Sequence, residues 1–300
     1  MYLEFYHLKR KPFAKTPDPG LLYLGPAYEE ALARLEQAAE DRELMLFTGE
    51  IGSGKTTLSR ALIDRLGQSY RVALIINPRL TPNQLLRTVA VRLGADPPKY
   101  FRSDLVDQVN GLLYDCYEKG VCPVLIIDEA QLIPGRDTFE EIRLLTNFQL
   151  DHLNLLAMIL IGQPELLRRL EHPAYEAFRQ RIGIRFHLGA LDRAGTEAYL
   201  RYRLDQAGGK PGLFDREAVA EIGRFSQGIP RRINNLASSA LIEGFGREAK
   251  VITAEIIANV ARDLGMALPE EESEPESPEE DSVPSRKRKN TAAPAAGWAD

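Results

Sequence analysis

The chain has 300 residues, of which 44% are hydrophobic, and its formal net charge is −5. This length and apolar content indicate two packed domains, or one domain with a lid. Residues 269–300 hold nine acidic and four basic residues, whereas the preceding 268 hold 34 of each sign. A neutral body of this kind lacks the overall basic charge of a protein that coats nucleic acid non-specifically.

No metal-binding, secretory or membrane-spanning pattern stands out. Cys116, Cys122 and the four histidines lack metal-ligand spacing, so we expect reduced thiols and no site built by these residue types. The first residues contain no signal-peptide core, and no apolar run reaches the roughly 20 residues that span a bilayer. The sequence therefore predicts a cytoplasmic protein.

Strands and helices are predicted to alternate after an N-terminal segment rich in Pro, Gly and Tyr. The first helix is predicted over 27–39. Four apolar runs, LMLFTG, VALIIN, VLIID and LLAMILIG, are typical of strands buried on both faces, and a fifth strand is predicted over 183–188. The helices between them are predicted over 55–66, 82–93, 103–118 and 138–150. This alternation indicates an α/β fold whose parallel sheet is covered by helices on both sides.

The run LFTGEIGSGKTTLSR follows the P-loop pattern and lies between a predicted strand and a predicted helix. Glycines permit the backbone angles that wrap successive N–H groups around phosphate oxygens. Lys55 is predicted to bind the β- and γ-phosphates of ATP, and Thr56 its Mg²⁺ ion. A glycine-rich turn without a ligand is the alternative. The predicted nucleotide-binding residues are Gly49, Glu50, Ile51, Gly52, Ser53, Gly54, Lys55, Thr56 and Thr57.

The run VLIIDEAQLI supplies a pair of acids at the end of a predicted buried strand. Asp128 is predicted to hold Mg²⁺ together with Thr56, and Glu129 to orient the water that attacks the γ-phosphate. The two motifs together predict Mg²⁺-dependent ATP hydrolysis. The letters DEAQ also occur in helicases, but a DEAD-type helicase needs a second RecA-like domain with a QxxGRxxR motif, which this sequence lacks.

Two later motifs are candidates for sensing and completing the nucleotide site. Gln163 ends a strand and is predicted to sense the γ-phosphate, although it could simply precede a helix that Pro164 begins. Arg179 and Arg181 lie between a helix and a short strand. Arg181 is predicted to reach the ATP site of a neighbouring subunit and assist catalysis there. A pair of solvated surface arginines is the alternative.

Beyond the fifth strand only helices are predicted. Asp192, Asp215 and Thr253 are suitable N-cap residues for three of them. The run GIPRR places Arg231 at the start of another helix, where it is predicted to face the phosphates; a surface charge at Arg231 or Arg232 is the alternative. The predicted helices span 192–206, 215–226, 231–245 and 253–263.

The predicted organisation has three parts. A nucleotide-binding core with the N-terminal segment occupies 1–189, and an all-helical lid occupies 190–268. Residues 269–300 are acidic, rich in Pro and Ser and nearly free of large apolar groups, so they are predicted to be a disordered tail. The basic run RKRK at 286–289 lies in this tail. The tail is predicted to be a solubilising segment, and a tethering element is the alternative.

The combined motifs resemble AAA+ ATPases, and more narrowly the ExeA/GspA family. The runs that carry this narrower resemblance are MYLEFYHLKRKPFAKTPDPGLLYLGPAYEEALARLEQA, TGEIGSGKTTL, LIIDEAQ and GIPRRIN, within about 1–265. The resemblance implies a homo-oligomeric ATPase, cytoplasmic or peripheral at the inner membrane. Its partner would be an inner-membrane or secretin-assembly component of a type II secretion or type IV pilus machine.

This sequence departs from the family pattern at two points, and these limit which properties of the family we expect it to share. ExeA continues into a transmembrane helix and a peptidoglycan-binding domain, so we expect this chain to be more similar to the short MshM-type members, and the peptidoglycan binding of ExeA is not carried over to it. The family often has His at the position of Tyr28. Tyr23 or Tyr28 is then a candidate to pack near adenine.

Two other functions share the predicted core. A DNA-associated AAA+ regulator of the MuB/TnsC transposition type would use the same nucleotide site. The neutral body favours the secretion role, whereas the basic run 286–289 favours the DNA role. A nucleotide-binding switch with negligible turnover is the third alternative.

Overall fold

A computed structural model describes residues 1–14 and 21–266. The predicted tail, 269–300, lies outside the described residues. The strands are β1 (Leu44–Gly49), β2 (Tyr70–Ile75), β3 (Cys122–Ile127), β4 (Gln149–Leu150), β5 (Leu153–Asn154), β6 (Ala157–Gly162) and β7 (Ile182–Leu188). The helices are α1 (Tyr2–Phe5), α2 (Pro26–Glu40), α3 (Lys55–Leu66), α4 (Pro82–Arg92), α5 (Arg102–Glu118), α6 (Arg136–Leu145), α7 (Pro164–Glu171), α8 (Glu176–Arg179), α9 (Arg193–Gln206), α10 (Arg216–Ser226), α11 (Pro230–Gly246) and α12 (Ala254–Asp263).

Five strands form one parallel sheet in the order β2-β3-β6-β1-β7. Every residue of β1, β3 and β6 is buried, as the nearly continuous apolar runs predict. Because β3, β6 and β1 are neighbours and parallel, the segments that follow them meet at one edge of the sheet. Asp128, Gln163 and the P-loop are these segments, so the topology itself assembles the predicted site.

Helices cover both faces of the sheet, which confirms the predicted fold class. On one face the core contains the apolar sides of α4, α5 and α6, including Leu86, Leu105 and Phe139. On the other face, α2 and α3 pack against alternate residues of the same strands, with Leu35 and Phe47 buried among them. Two buried free thiols, Cys116 on α5 and Cys122 at the start of β3, belong to this α/β part.

Helices α9 to α12, the segment predicted to be a lid, share an apolar core of their own. The side chains of Tyr6, Leu8 and Phe13 are buried in this lid core, and the Tyr6 hydroxyl donates a 3.0 Å hydrogen bond to the Ala249 carbonyl. The buried Arg203 guanidinium in α9 donates to the Pro12 carbonyl at 2.6 Å. The predicted division places the N-terminal residues with the sheet, whereas these aromatic and apolar side chains pack with the lid.

Element boundaries differ from the predicted ones at a few places. The helix predicted over 138–150 ends at Leu145, and its last residues instead form β4, which pairs with β5 in a short hairpin. Asp192 and Asp215 cap their helices through side-chain hydrogen bonds, whereas Thr253 precedes α12 without one. No helix in the described part of the chain is long and apolar enough to cross a bilayer.

Candidate active site

The P-loop turns from β1 into α3 through glycines that other residues could not replace freely. Gly52 and Gly54 have φ values of 85° and 104°, in the left-handed region that favours glycine. At Gly49, a Cβ would lie 2.6 Å from the carbonyl oxygen of Leu188 on the neighbouring strand. The loop backbone therefore depends on glycine for both its angles and its close packing.

Tyr28 supports the P-loop from α2. Its buried hydroxyl donates a 2.7 Å hydrogen bond to the Ser53 carbonyl, and its ring lies 3.1 Å from the position of a Cβ on Gly54. Burial raises the pKa of the Tyr28 phenol, so the hydroxyl stays a donor at neutral pH. Tyr23, the other tyrosine predicted near adenine, contacts the Tyr28 ring edge-on, and both tyrosines line a cavity beside the P-loop.

Lys55 begins α3 with its ammonium group turned into the loop. Its Nζ donates to the carbonyls of Gly49 at 2.7 Å and Glu50 at 2.8 Å. The residue is only 8% exposed, and burial lowers the pKa of its ammonium group, while the nearby Glu129 and Asp128 oppose that shift. A buried cation held by two loop carbonyls is suited to exchange these partners for phosphate oxygens.

Thr56 and Asp128 meet at the edge of the sheet. The Thr56 hydroxyl donates to Oδ2 of Asp128 at 3.0 Å, and the Glu129 backbone N–H donates to Oδ1 at 2.9 Å. Burial raises the pKa of the Asp128 carboxyl, and these two hydrogen bonds lower it in part. A hydroxyl and a carboxylate in contact fit Mg²⁺, which takes one or two protein oxygens and completes its shell with water and phosphate oxygens.

Glu129 is held by two carboxamide side chains. Gln163 Nε2 donates to its Oε2 at 3.1 Å, and Gln131 Nε2 donates to the same oxygen. The contact to Gln163 agrees with a sensor placed beside the acidic pair. From its position in the DEAQ run, Gln131 is predicted only as the next candidate for the water-orienting role if Glu129 does not fill it.

A cavity of about 420 Å³ lies between the P-loop and the lid, a volume within the range of small-molecule sites. Lys55, Glu129 and Gln163 line it from the core, and Arg231 lines it from the start of α11. The Arg231 backbone N–H donates to the Gly52 carbonyl at 3.2 Å, which ties α11 to the P-loop directly.

The two candidate trans arginines do not line this cavity. Arg181 is exposed and donates to Oδ1 of Asn147 at 2.9 Å. Arg179 ends α8 and donates to the Glu171 carbonyl at 3.2 Å. An arginine that acts on a neighbouring subunit must lie away from its own nucleotide site, so this placement is compatible with the prediction for Arg181.

The parallel sheet, the P-loop and the acidic pair at the sheet edge define a P-loop ATPase domain. Residues 38–170 match the AAA domain family. General secretion pathway protein A of Aeromonas hydrophila is 38% identical over 261 residues, which cover 85% of this chain and 47% of that protein. The chain is therefore an AAA ATPase related to general secretion pathway protein A, and it spans about half the length of that relative.

Solved structures confirm the fold at much lower identity. The Drosophila ORC bound to DNA is 19% identical with a TM-score of 0.65, covering 88% of this chain and 66% of that one. The Thermotoga maritima RuvB Holliday junction branch migration motor is 18% identical with a TM-score of 0.53, covering 79% and 68%. These two structures confirm the predicted fold.

Proposed function

We propose that the protein hydrolyses ATP to ADP and phosphate with Mg²⁺, as an oligomer that supports secretin assembly or localisation in a type II secretion or type IV pilus system. The observation that carries the hydrolytic part is that Lys55, Thr56 and Glu129 line one cavity, with Asp128 hydrogen-bonded to Thr56. A nucleotide-binding switch would need Lys55 and the Thr56–Asp128 pair. The carboxylate of Glu129, which also lines the cavity, favours turnover.

Each of these side chains has a distinct role in the proposed reaction. The P-loop N–H groups and Lys55 bind the β- and γ-phosphates, and Thr56 and Asp128 hold Mg²⁺. The ion neutralises charge on the phosphate oxygens when bound. Glu129 accepts a hydrogen bond from the attacking water and orients it, and Gln163 senses the γ-phosphate from the adjacent strand end.

The predicted lid contributes a cation to the nucleotide cavity. Arg231 lines the cavity, and α11 already contacts the P-loop through the Gly52 carbonyl. We infer that its guanidinium binds phosphate oxygens, so that lid position responds to ATP and ADP. Tyr23, at the same cavity, supplies an aromatic ring for the adenine.

The substitution Glu129→Gln tests the hydrolytic proposal. The variant should bind ATP with unchanged affinity but release phosphate at least about 10²-fold more slowly, because a positioned base or water-orienting group contributes on that scale. Equilibrium nucleotide titration and phosphate release, each with Mg²⁺ and with EDTA, measure the two effects. Near-normal turnover of the variant would contradict the role of Glu129.

The relation to general secretion pathway protein A supports the secretion role. We infer a site of action in the cytoplasm or at the inner membrane, beside an inner-membrane or secretin-assembly component. Replacing the chromosomal gene by its Glu129→Gln form should reduce the secretin multimers recovered from outer membranes, while secretin monomers still accumulate. Normal multimers in that strain would contradict the role.

A DNA-associated regulator remains the second proposal, because the Drosophila structure of similar fold is bound to DNA. The neutral body gives it little electrostatic support. The discriminating measurement is phosphate release and filament formation with and without duplex DNA at physiological salt. A roughly tenfold stimulation by DNA would favour this proposal over secretion.

A further inference from the structure

Gln131 bridges the hydrolytic acid and the end of β6. Its Oε1 accepts a 3.1 Å hydrogen bond from the Gln163 backbone N–H, and its Nε2 donates to Oε2 of Glu129. A backbone N–H can only donate, so the oxygen of the carboxamide must face Gln163 and the NH₂ group must face Glu129. The chemistry of the partners thus fixes the orientation of the amide.

The backbone of Gln131 is fixed as well. Arg169, on α7, donates to the carbonyls of Gln131 and Ile133, and its guanidinium lies 4.9 Å from the centre of the Phe139 ring. On the other side, a Cβ at Gly162 would lie 3.2 Å from Oε1 of Gln131, so the small residue leaves room for the bridge. These contacts hold the carboxamide in one place.

Glu129 itself is in an unusual backbone conformation. Its φ is 53°, in the left-handed region that residues other than glycine seldom adopt. Such conformations persist only where the surroundings impose them, and they concentrate at functional sites. Glu129 and Gln163 line the cavity, whereas Gln131 lies behind them and is absent from its lining.

We propose that Gln131 is a positioning residue for hydrolysis. It fixes the carboxylate of Glu129 relative to Gln163, so that the water-orienting acid and the γ-phosphate sensor move as one unit. Gln131 acts through Glu129 and does not contact the nucleotide. This inference rests on the proposed ATP hydrolysis, in which Glu129 orients the attacking water.

Two substitutions separate positioning from folding. Gln131→Ala removes both hydrogen bonds, while Gln131→Glu keeps the size and the acceptor for Gln163 but replaces the donor to Glu129 by a carboxylate. Both variants should lower kcat roughly 10-fold or more, a part of the effect of losing the positioned acid. The ATP Kd and KM should stay within about twofold, since the P-loop contacts are unchanged. Gln37→Ala, at an exposed position of α2, is the matched control and should hydrolyse ATP normally.

A double-mutant cycle provides the decisive readout, measured in single turnovers with excess enzyme. If Gln131 acts through Glu129, adding Gln131→Ala to Glu129→Gln should cause no further loss of rate. Losses that multiply would overturn the inference, as would wild-type kcat in Gln131→Glu. Both results leave ATP hydrolysis intact, whereas a wild-type protein that releases no phosphate would overturn the proposed function and this inference together.

Discussion

At the scale of single residues, Asp128 is predicted to hold Mg²⁺, and ionisation of its buried carboxyl lowers the stability of the fold. The residue is 4% exposed, and burial raises the pKa of its carboxyl above that of an exposed Asp. The folded protein therefore holds this proton more tightly than the unfolded chain does. Protonated Asp128 favours the folded state at low pH, and that contribution is lost as pH rises through the raised pKa.

Asp128→Asn should therefore raise the free energy of unfolding at neutral pH while it abolishes Mg²⁺-dependent hydrolysis. Asn keeps the shape of the side chain and an oxygen that accepts the Glu129 N–H, but carries no charge to desolvate. Urea unfolding of the nucleotide-free protein at pH 4 and pH 7 measures the effect, and the difference from wild type should be larger at pH 7. If the variant and the wild type differ in free energy of unfolding by the same amount at pH 4 and pH 7, ionisation of Asp128 has no cost in stability.

Residues of the site differ in how far the sequence predicts them. Lys55, Thr56 and Asp128 follow fixed patterns whose spacing the phosphate chemistry requires, so their meeting is predictable from the sequence alone. The contacts of Gln131 are not, because they depend on the reach of a side chain across a turn to the end of another strand. Tyr28 is a candidate for the adenine site by its sequence position, yet its hydroxyl supports the P-loop backbone at Ser53.

At the scale of elements, a tight backbone contact within the lid, between its first residues and the turn before α11, fixes where α11 starts. Gly228 has a φ of 69°, and its carbonyl accepts a 2.9 Å hydrogen bond from the Leu191 N–H. A Cβ at Gly228 would lie 1.8 Å from the Leu191 carbonyl oxygen. Because α11 begins two residues later and contacts the P-loop through Arg231, this glycine helps to fix the nucleotide cavity.

Gly228→Ala should lower the free energy of unfolding by at least about 2 kcal/mol, since the added methyl combines left-handed strain with a backbone overlap. The matched control is Gly111→Ala at an exposed position inside α5, where a Cβ meets open space and should stabilise by up to about 1 kcal/mol. Chemical denaturation of both variants provides the comparison. If Gly228→Ala is as stable as the wild type, the backbone at Leu191 shifts to accommodate the methyl group at little cost.

Regular elements are predictable where one periodicity dominates. The bounds of β1 and α3 coincide with the apolar run and the segment after the P-loop. The short hairpin of β4 and β5 is hidden, because two-residue strands leave no period in the sequence. The N-terminal aromatic residues pack into the lid over a long sequence separation, which local patterns do not encode.

At the scale of the whole molecule, Lys55, Arg231 and Glu129 line the nucleotide cavity, whereas the exposed Arg181 does not. The hydrogen bond from Arg181 to Asn147 is an exposed contact that contributes little stability, so it can be exchanged. If Arg181 reaches the γ-phosphate of an adjoining subunit, hydrolysis requires assembly. Specific activity should then rise with protein concentration.

Mixing two inactive variants tests this trans role. Arg181→Ala should bind ATP normally but hydrolyse it up to about 10³-fold more slowly, the scale of an arginine finger, while Lys55→Ala should lose ATP binding. The mixture should regain activity, because some interfaces pair an intact P-loop with an intact Arg181. Arg179→Ala is the control, and we expect a much smaller effect because that side chain only caps the Glu171 carbonyl. If the mixture stays inactive although both variants co-elute in size-exclusion chromatography, Arg181 is excluded as the trans residue. If the specific activity of the wild type does not depend on its concentration, the monomer is sufficient for hydrolysis.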